Sequence, residues 1–399
     1  MRKTKSFPLF AAAVAATALA ATVSATPAAA KSTRATAGIS CSKTLDIGML
    51  APLTGAAGFL GQEQLSWAKY AVKTLPATMG LKVKLLPGDL PVEKGQADAQ
   101  AVAQKFISDK NMVAVVGGST SGSVVSTSTA LTQAGLVQVS PSATRTTLTK
   151  GDNQQATNAF FRVVPADDYQ GSTDAKYMTD VLKVKNVVIF DFQEPYSLGL
   201  GGEVERDLKA AGVTTSHQSV ANTVTDFSSF VTKVPSDADI VFFPTQSPGS
   251  AEAFAEQLVQ QGKKAKVFGG DGSNGLGEFK APGSYISSFA PSITGFAADK
   301  AVIAGWQKDN KGKPVGSFGP AAYGAVQVIL AAVKAACDKG KGSIAKRSLV
   351  IGQMRKVHID KGWILGGKFA WSTTNTRDPN VTKFYILQIQ GNGSYKLMN

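Results

Sequence analysis

The sequence predicts an α/β protein with two lobes, each a doubly wound parallel sheet covered on both faces by helices. Three observations support this fold class. Short apolar runs alternate along the chain with longer stretches of helical periodicity. The runs are continuous rather than half polar, which is typical of strands buried on both faces. The 399 residues exceed one ordinary domain, and the alternation forms two series that separate near residues 162–165.

The N-terminal segment has the features of an export signal. Basic residues at 2, 3 and 5 precede an Ala-rich apolar stretch at 7–23, and small residues at 28–30 provide a cleavage pattern. The stretch is short and interrupted by polar residues, so a membrane anchor is disfavoured. We predict a signal peptide at 1–30 and a flexible, polar leader at 31–43.

The first series accounts for one lobe. Its helices show apolar residues on one face, and its third strand ends in a Gly-Gly pair. Strands are expected at 45–49, 83–86, 113–116 and 136–139, and helices at 63–72, 94–108 and 123–134.

The second series repeats the same alternation after Pro165. Its helices are expected at 171–182, 201–211 and 251–260, and its strands at 186–190, 240–243 and 266–268. The end of the chain departs from this alternation. Residues 368–371 and 384–389 are predicted to form the two strands of a terminal hairpin.

Composition excludes several function classes. The chain is 43% hydrophobic and 18% charged, with a net charge of +14, so it can bury a large core. The lysines are scattered and not interleaved with aromatic residues, which argues against nucleic-acid binding.

The pattern Gly270-x-Gly272-x-x-Gly275 is not followed promptly by a long helix, so a dinucleotide site is not expected. We expect no cofactor.

Cys41 and Cys337 are the only cysteines, and the chain has two histidines. This set cannot build a zinc site by itself, so no metal is expected. In an exported protein an even pair suggests one disulfide. Lipidation of Cys41 is the alternative, although the preceding residues lack the usual leucine.

Candidate binding residues follow the predicted strands. Ligands of open parallel sheets lie at the carboxyl ends of the strands, where this chain places hydroxyl-rich loops at 117–122 and 140–144. Such loops at helix starts suit an anion such as a carboxylate, and they also suit plain N-capping. Asp271 lies between glycines at another strand end, where it could pair with an ammonium group or serve as a turn residue. A hydrolase would need a base beside a nucleophile, and the sequence offers none.

These features together resemble the type 1 periplasmic binding proteins, specifically the leucine/isoleucine/valine-binding branch of ABC-importer receptors. The resemblance covers residues 44–397 and rests on the order and spacing of several stretches, among them 47–55, 115–121, 140–144, 161–163, 168–171, 196–199, 225–227 and 366–369.

The resemblance implies two lobes joined by three crossover hinge strands, with a ligand enclosed between them. One lobe would comprise 44–163 plus 298–356, and the other 164–297 plus 357–399. Cys337 would return to the lobe of Cys41, which favours their pairing. The implied ligand contacts are Ser121, Ser142 and Thr144 for a carboxylate, Asp271 for an ammonium group, and the pocket walls Leu60, Ser119, Thr120, Ala143, Tyr196, Gln246 and Phe318.

Three positions depart from the family pattern. Leu60 replaces a frequent tyrosine, Gln246 replaces an aromatic residue, and Asp271 replaces a frequent glutamate. Gln246 adds a polar group where an aliphatic ligand would prefer none, which puts a branched-chain ligand in doubt.

We therefore expect an exported, periplasmic or extracellular monomer that is not an enzyme. It would capture a small polar molecule, such as an amino acid, and deliver it to a membrane ABC permease. A ligand sensor of the same fold is the first alternative, and an exported hydrolase the second. The sequence leaves the identity of the ligand open.

Overall fold

The computed structural model describes residues 38–275, 277–290 and 292–399. The predicted signal peptide and most of the predicted leader lie outside the described residues.

Strands and helices alternate along most of the described part of the chain. The strands are β1 (Ile39–Ser40), β2 (Thr44–Ala51), β3 (Lys82–Asp89), β4 (Met112–Gly117), β5 (Val137–Ser140), β6 (Phe160–Arg162), β7 (Asn186–Phe192), β8 (Thr214–Val220), β9 (Ile240–Phe242), β10 (Lys266–Gly269), β11 (Tyr285–Ser288), β12 (Ser343–Ile344), β13 (His358–Trp363), β14 (Gly367–Ala370), β15 (Tyr385–Ile389) and β16 (Tyr395–Leu397). The helices are α1 (Gly58–Thr78), α2 (Gln96–Ser108), α3 (Ser121–Gln133), α4 (Asp167–Asp180), α5 (Pro195–Ala210), α6 (Ser228–Thr232), α7 (Pro248–Gln260), α8 (Lys300–Asp309), α9 (Gly319–Lys339) and α10 (Ser348–Met354).

Two sheets form the centres of two lobes, which confirms the predicted fold class. The first lobe has a five-stranded parallel sheet in the order β3-β2-β4-β5-β6. The second lobe has a seven-stranded sheet in the order β16-β15-β11-β10-β9-β7-β8, in which β15 and β16 run antiparallel to their neighbours. The loops after β4 and β5 in one sheet, and after β7, β9 and β10 in the other, carry the candidate site.

Helix α9 forms the centre of the first lobe's core. It is long and apolar enough to cross a membrane, but most of its apolar stretch is buried inside the protein. It packs against α1, where Trp67 stacks on Trp306 of α8 with ring centroids 4.5 Å apart. Such burial of large apolar side chains is the main favourable term in folding. The helix is therefore a core element of a globular lobe.

The C-terminal segment differs from the predicted hairpin. β14 pairs with β13, whereas β15 pairs with β11 and β16. Trp363 of the β13–β14 ribbon packs on α9, where a Cβ atom at Gly324 would meet its ring at 2.5 Å. Phe384 also belongs to the first lobe's core. Residues 357–384, expected in the second lobe, thus pack with the first, because their aromatic side chains complete its core.

The end of the predicted leader is ordered. β1 pairs with β12, and Cys41 forms a disulfide with Cys337 at the end of α9. The Cα atoms of the two cysteines are 6.0 Å apart, which is normal disulfide geometry. The predicted disulfide is confirmed. The expectation of flexibility is wrong for residues 38–43, because backbone hydrogen bonds and the disulfide fix them to the first lobe.

Candidate functional site

Two loops of the first lobe lie side by side at the carboxyl ends of β4 and β5. The Ser142 hydroxyl donates a hydrogen bond of 2.5 Å to the carbonyl oxygen of Ser119. The Ser121 hydroxyl accepts one of 3.3 Å from the amide of Arg145. The first loop needs glycine at position 117, since a φ of +109° and the close contact with the Leu50 carbonyl of β2 leave no room for a Cβ atom.

Arg162 orients the second of these loops. Its guanidinium donates to the carbonyl oxygens of Thr144 at 2.7 Å and Arg145 at 2.9 Å. It also forms a fully buried ion pair with Asp378, at 2.8 Å. Because the loop's carbonyl groups face Arg162, the loop is held in place without using the amide of Thr144.

Hydrogen-bond donors remain free at this edge of the first lobe. Among the described residues, the amides of Ser121 and Thr144 have no hydrogen-bond acceptor, and the Thr144 hydroxyl is buried without a partner. The amide of Ser121 also belongs to the first turn of α3, where the helix dipole favours an anion. Ser142 stays a predicted contact, although its hydroxyl already accepts a 2.7 Å bond from Gln64.

Asp271 faces this edge from the second lobe. Its carboxylate accepts a 2.8 Å hydrogen bond from the Tyr196 hydroxyl, which in turn accepts one of 3.1 Å from the Gly272 amide. A Cβ atom at Gly270 would collide with that hydroxyl, so glycine is required there. Burial raises the pKa of Asp271 to about 6. The carboxylate is therefore poised to gain a cationic partner.

Two further buried carboxylates lie near Asp271. Asp167 starts α4, directly after the chain crosses from the first lobe to the second. Neither of its carboxylate oxygens makes a regular hydrogen bond among the described residues, but the Thr144 hydroxyl lies near enough to lower its pKa. Burial raises its pKa well above the ordinary value, and the charge of Asp271 raises it further. Asp174 is also buried, and burial raises its pKa well above the ordinary value. This concentration of negative potential favours a cation.

The sequence analysis missed Asp167. The family resemblance covers the stretch that begins at Asp168, but Asp168 forms an ion pair with Lys150 at 2.7 Å, away from the acidic cluster. The available signal was the pair of aspartates at a predicted lobe crossing. Only the helix geometry distinguishes the buried member from the partly exposed one.

All eleven predicted ligand-binding residues are buried, but they play different parts. Thr120 caps α3 by accepting from the Ser123 amide at 3.2 Å. Leu60 and Phe318 belong to the first lobe's core, where Phe318 packs edge-on against Phe59. Ala143 lies in a small apolar cluster beneath the second hydroxyl loop. Their roles as pocket walls stay predictions.

Gln246 lies beside a residue that the sequence analysis also missed. Its side-chain amide donates a 3.0 Å hydrogen bond to Glu194, which caps α5 by accepting from the amides of Tyr196 and Ser197. Burial raises the pKa of Glu194 to about 7. The signal for Glu194 was an acidic residue before Pro195 at the end of a buried strand, which is typical of a helix start.

The two lobes are in contact around these residues. The Asn274 amide donates to the Ser317 hydroxyl across the lobes at 2.9 Å, and the Arg145 guanidinium donates to the Pro195 carbonyl. The hydroxyl loops and the acidic cluster therefore lie close together where the lobes meet.

Comparisons with known proteins identify relatives of this chain. An amino acid binding protein of Pseudomonas aeruginosa is 29% identical over 231 residues, which cover 57% of this chain and 60% of that protein. The chain thus matches less than two thirds of that relative's length.

Two solved structures share the fold. The branched-chain amino acid transporter substrate binding protein LivJ of Streptococcus pneumoniae, in complex with isoleucine, has a TM-score of 0.75 at 22% identity, covering 89% of this chain and 99% of that chain. An ABC transporter solute binding protein of R. palustris, in complex with benzoate, has a TM-score of 0.76 at 18% identity, covering 90% of this chain and 96% of that chain. The family described as periplasmic binding protein matches residues 44–394. The chain therefore belongs to the periplasmic binding protein family, as the resemblance predicted.

Proposed function

We propose that this protein captures an α-amino acid, or a closely related compound, between its lobes. The observation that carries the proposal is the pairing of free amide donors in the first lobe with a buried acidic cluster in the second. An α-amino acid has one group for each, a carboxylate and an ammonium. The names of the relatives, which include an amino acid binding protein, support the same class of ligand.

The ammonium group would bind in the acidic cluster. Asp271 and Asp167 would supply the negative charge, and the Tyr196 hydroxyl would hold Asp271 in position. A cation would satisfy the carboxylate oxygens of Asp167, which otherwise stay buried without a regular hydrogen bond among the described residues. Charge-assisted hydrogen bonds of this kind are about twice as strong as neutral ones.

The carboxylate would bind at the first lobe. The amides of Ser121 and Thr144 and the Thr144 hydroxyl would donate to it, while Arg162 and the Ser142 hydroxyl keep the two loops in place. Donors fixed in advance lose little conformational entropy on binding.

Closure follows from this division of the ligand between the lobes. A ligand that contacts both lobes binds the closed state more tightly than the open one and so shifts the population toward closure. We propose that an ABC permease recognises the closed form and accepts the ligand, and that the protein performs no chemistry on it.

Membership of the family implies an exported protein. The Cys41–Cys337 disulfide supports an oxidising compartment outside the cytosol. We propose cleavage after residue 30 and a mature chain without a lipid. N-terminal sequencing of the exported protein checks this, and a chain that begins with acylated Cys41 would contradict it.

A thermal-shift screen of the purified exported protein tests the proposed ligand class. The panel comprises α-amino acids, the matching carboxylic acids without an amino group, and the matching amines without a carboxylate. We expect stabilisation by amino acids only, amounting to about 2.7 kcal/mol when the ligand is at about 100 times its dissociation constant. Equal stabilisation by the deaminated acids would show that the acidic cluster does not bind the ligand.

A further inference from the structure

A second polar subsite lies next to the acidic cluster, formed by Gln246 and Glu194. Both residues line two adjoining cavities of about 230 Å³ and 340 Å³ that lie between the lobes. Val92 closes these cavities from the first lobe, and Asn222 lines both from the second. A side chain that extends from the amino-acid site between the lobes would meet this pair.

The subsite lies close to the proposed amino-acid site, on the other side of the Tyr196 ring. A Cβ atom at Gly272 would lie 3.1 Å from Gln246 Cγ and 3.1 Å from the Tyr196 ring. The Tyr196 hydroxyl contacts Asp271, so Gln246 is separated from the acidic cluster by little more than the width of this ring. This is the distance over which an amino-acid side chain extends.

The hydrogen bond to Glu194 fixes the orientation of the Gln246 amide. A carboxylate accepts only, so the amide nitrogen of Gln246 must face it, at 3.0 Å. Oε1 of Gln246 has no hydrogen-bond donor among the described residues. The pair therefore presents the Gln246 carbonyl oxygen to the cavity as an acceptor, next to the charge of Glu194.

The capping role of Glu194 explains only part of this arrangement. Its carboxylate accepts from two backbone amides at the start of α5, which accounts for a carboxylate at this position. It does not account for Gln246, which contributes no cap. Both oxygens of Glu194 are hydrogen-bonded, but an apolar ligand side chain would bury Oε1 of Gln246 unpaired, which costs free energy.

We propose that the ligand is an amino acid whose side chain ends in an N–H donor, such as an amide, ureido, guanidinium or ammonium group, and that Gln246 and Glu194 select for it. This inference rests on the proposed function. It excludes leucine, isoleucine and valine as preferred ligands.

Titration calorimetry with matched ligand pairs tests the inference. Glutamine is compared with methionine, and lysine with norleucine, because the members of each pair have similar size and differ at the end of the side chain. We expect at least one donor-bearing ligand to bind roughly tenfold or more tightly than its apolar counterpart. Tighter binding of both apolar counterparts would overturn the inference and leave the proposed function intact. No binding by any α-amino acid would overturn both.

Variants separate selection from a structural role. Gln246→Leu should lose the preference for the ligand with an N–H donor. It should also bind methionine and norleucine more tightly than the wild type does. Glu194→Gln keeps an acceptor oxygen at the helix cap but removes the negative charge. It should therefore weaken the binding of lysine more than the binding of glutamine. Gln260→Leu, at an exposed position on α7 of the same lobe, is the matched control. It should leave unchanged the ratio of the affinities for the two members of each ligand pair. An unchanged ratio in folded Gln246→Leu protein, with folding checked by thermal unfolding, would contradict the role of Gln246.

Discussion

The two lobes contribute opposite chemistry to one site. The first lobe offers neutral donors, namely backbone amides and the Thr144 hydroxyl, and the guanidinium of Arg162 is occupied by Asp378 and by the carbonyl groups of the same loop. The second lobe offers Asp271 and Asp174, and Asp167 lies where the chain enters it. This difference implies that a ligand with one anionic and one cationic end would bind in one orientation only. Neither lobe alone offers partners for both ends.

The largest effect should come from removing Arg162, which holds the donor loop of the first lobe in place. Arg162→Met leaves Asp378 buried without its charge partner, which should destabilise the fold by about 3–5 kcal/mol. It should also abolish tight ligand binding, because the carbonyl groups of residues 143–145 lose their anchor. Urea unfolding and calorimetry measure the two effects.

Arg355→Met is the control for that experiment, since Arg355 is exposed and has no acidic partner among the described residues. It donates to a backbone carbonyl at 2.6 Å and lies 5.6 Å from the centre of the Phe161 ring. If the two variants lost equal stability, the buried ion pair would not be the support that we describe.

The acidic half of the site is tested by Asp271→Asn. The variant keeps the shape of the site and removes the charge, so binding should weaken by about 2–5 kcal/mol while the fold stays intact. Asp168→Asn, which lies outside the acidic cluster, should bind like the wild type. Unchanged affinity of the Asp271 variant in calorimetry would make Asp271 a turn residue.

The pH dependence of binding should follow the same charge. Free Asp271 has its pKa raised by burial to about 6, and a bound ammonium group would lower that pKa. Protons therefore compete with the ligand, and affinity should fall as the pH drops through about 6. Affinity that stays constant from about pH 7 to about pH 5 would argue against an ammonium group at Asp271.

The disulfide should stabilise the first lobe more than the second, because both cysteines lie in the first lobe. Replacing both by Ser should lower the free energy of unfolding by about 2–4 kcal/mol, chiefly by freeing the unfolded chain. Hydrogen exchange should show the loss mainly at β1, β12 and the end of α9. Equal loss of protection in β7–β10 would show that the lobes unfold as one unit.

A single donor of the first lobe should matter less than the charge of the second. Thr144→Val removes one hydrogen bond to a charged group and should weaken binding by about 1–3 kcal/mol. Thr146→Val, on the 3₁₀ turn that follows the same loop, is the matched control, because its hydroxyl has no hydrogen-bond partner among the described residues. A loss as large as that of Asp271→Asn would mean that both halves contribute equally.

The smallest effect should come from His217, on the second lobe. It lies between Asp191 at 2.7 Å and Glu205 at 2.8 Å, and the hydrogen bond to Asp191 is the main cause of its raised pKa. A raised folded-state pKa means that the protonated form stabilises the fold. That stabilisation is complete below the ordinary pKa of 6.5 and is lost as the pH rises through the folded-state value.

His217→Gln should therefore reduce stability at about pH 6 more than at about pH 9, measured by urea unfolding. The exposed His358, replaced in the same way, should show little pH-dependent change. The same pH dependence in both variants would contradict a specific role of His217.

Much of the fold was predictable because it depends on local patterns. Continuous apolar runs such as 113–116 identified buried parallel strands, and the loops after β4 and β5 followed from the positions of those strands. Residues 357–384 were assigned to the wrong lobe, because their aromatic side chains can complete either core until the partner surface is known. Asp167 and Glu194 were missed for a related reason, since a carboxylate at a helix start reads as a cap whether or not it faces a cavity.

The sequence by itself determined the alternation of strands and helices, the two lobes, the family and the cysteine pair available for a disulfide. These depend on periodicity, composition and motif order, which are properties of the chain. Only the tertiary structure decided that Ser142 is already hydrogen-bonded while the Thr144 hydroxyl is not, that Asp167 is buried beside Asp271, and that Gln246 is oriented by Glu194. Hydrogen-bond satisfaction and burial depend on neighbours brought together from distant parts of the chain, and no local pattern records them.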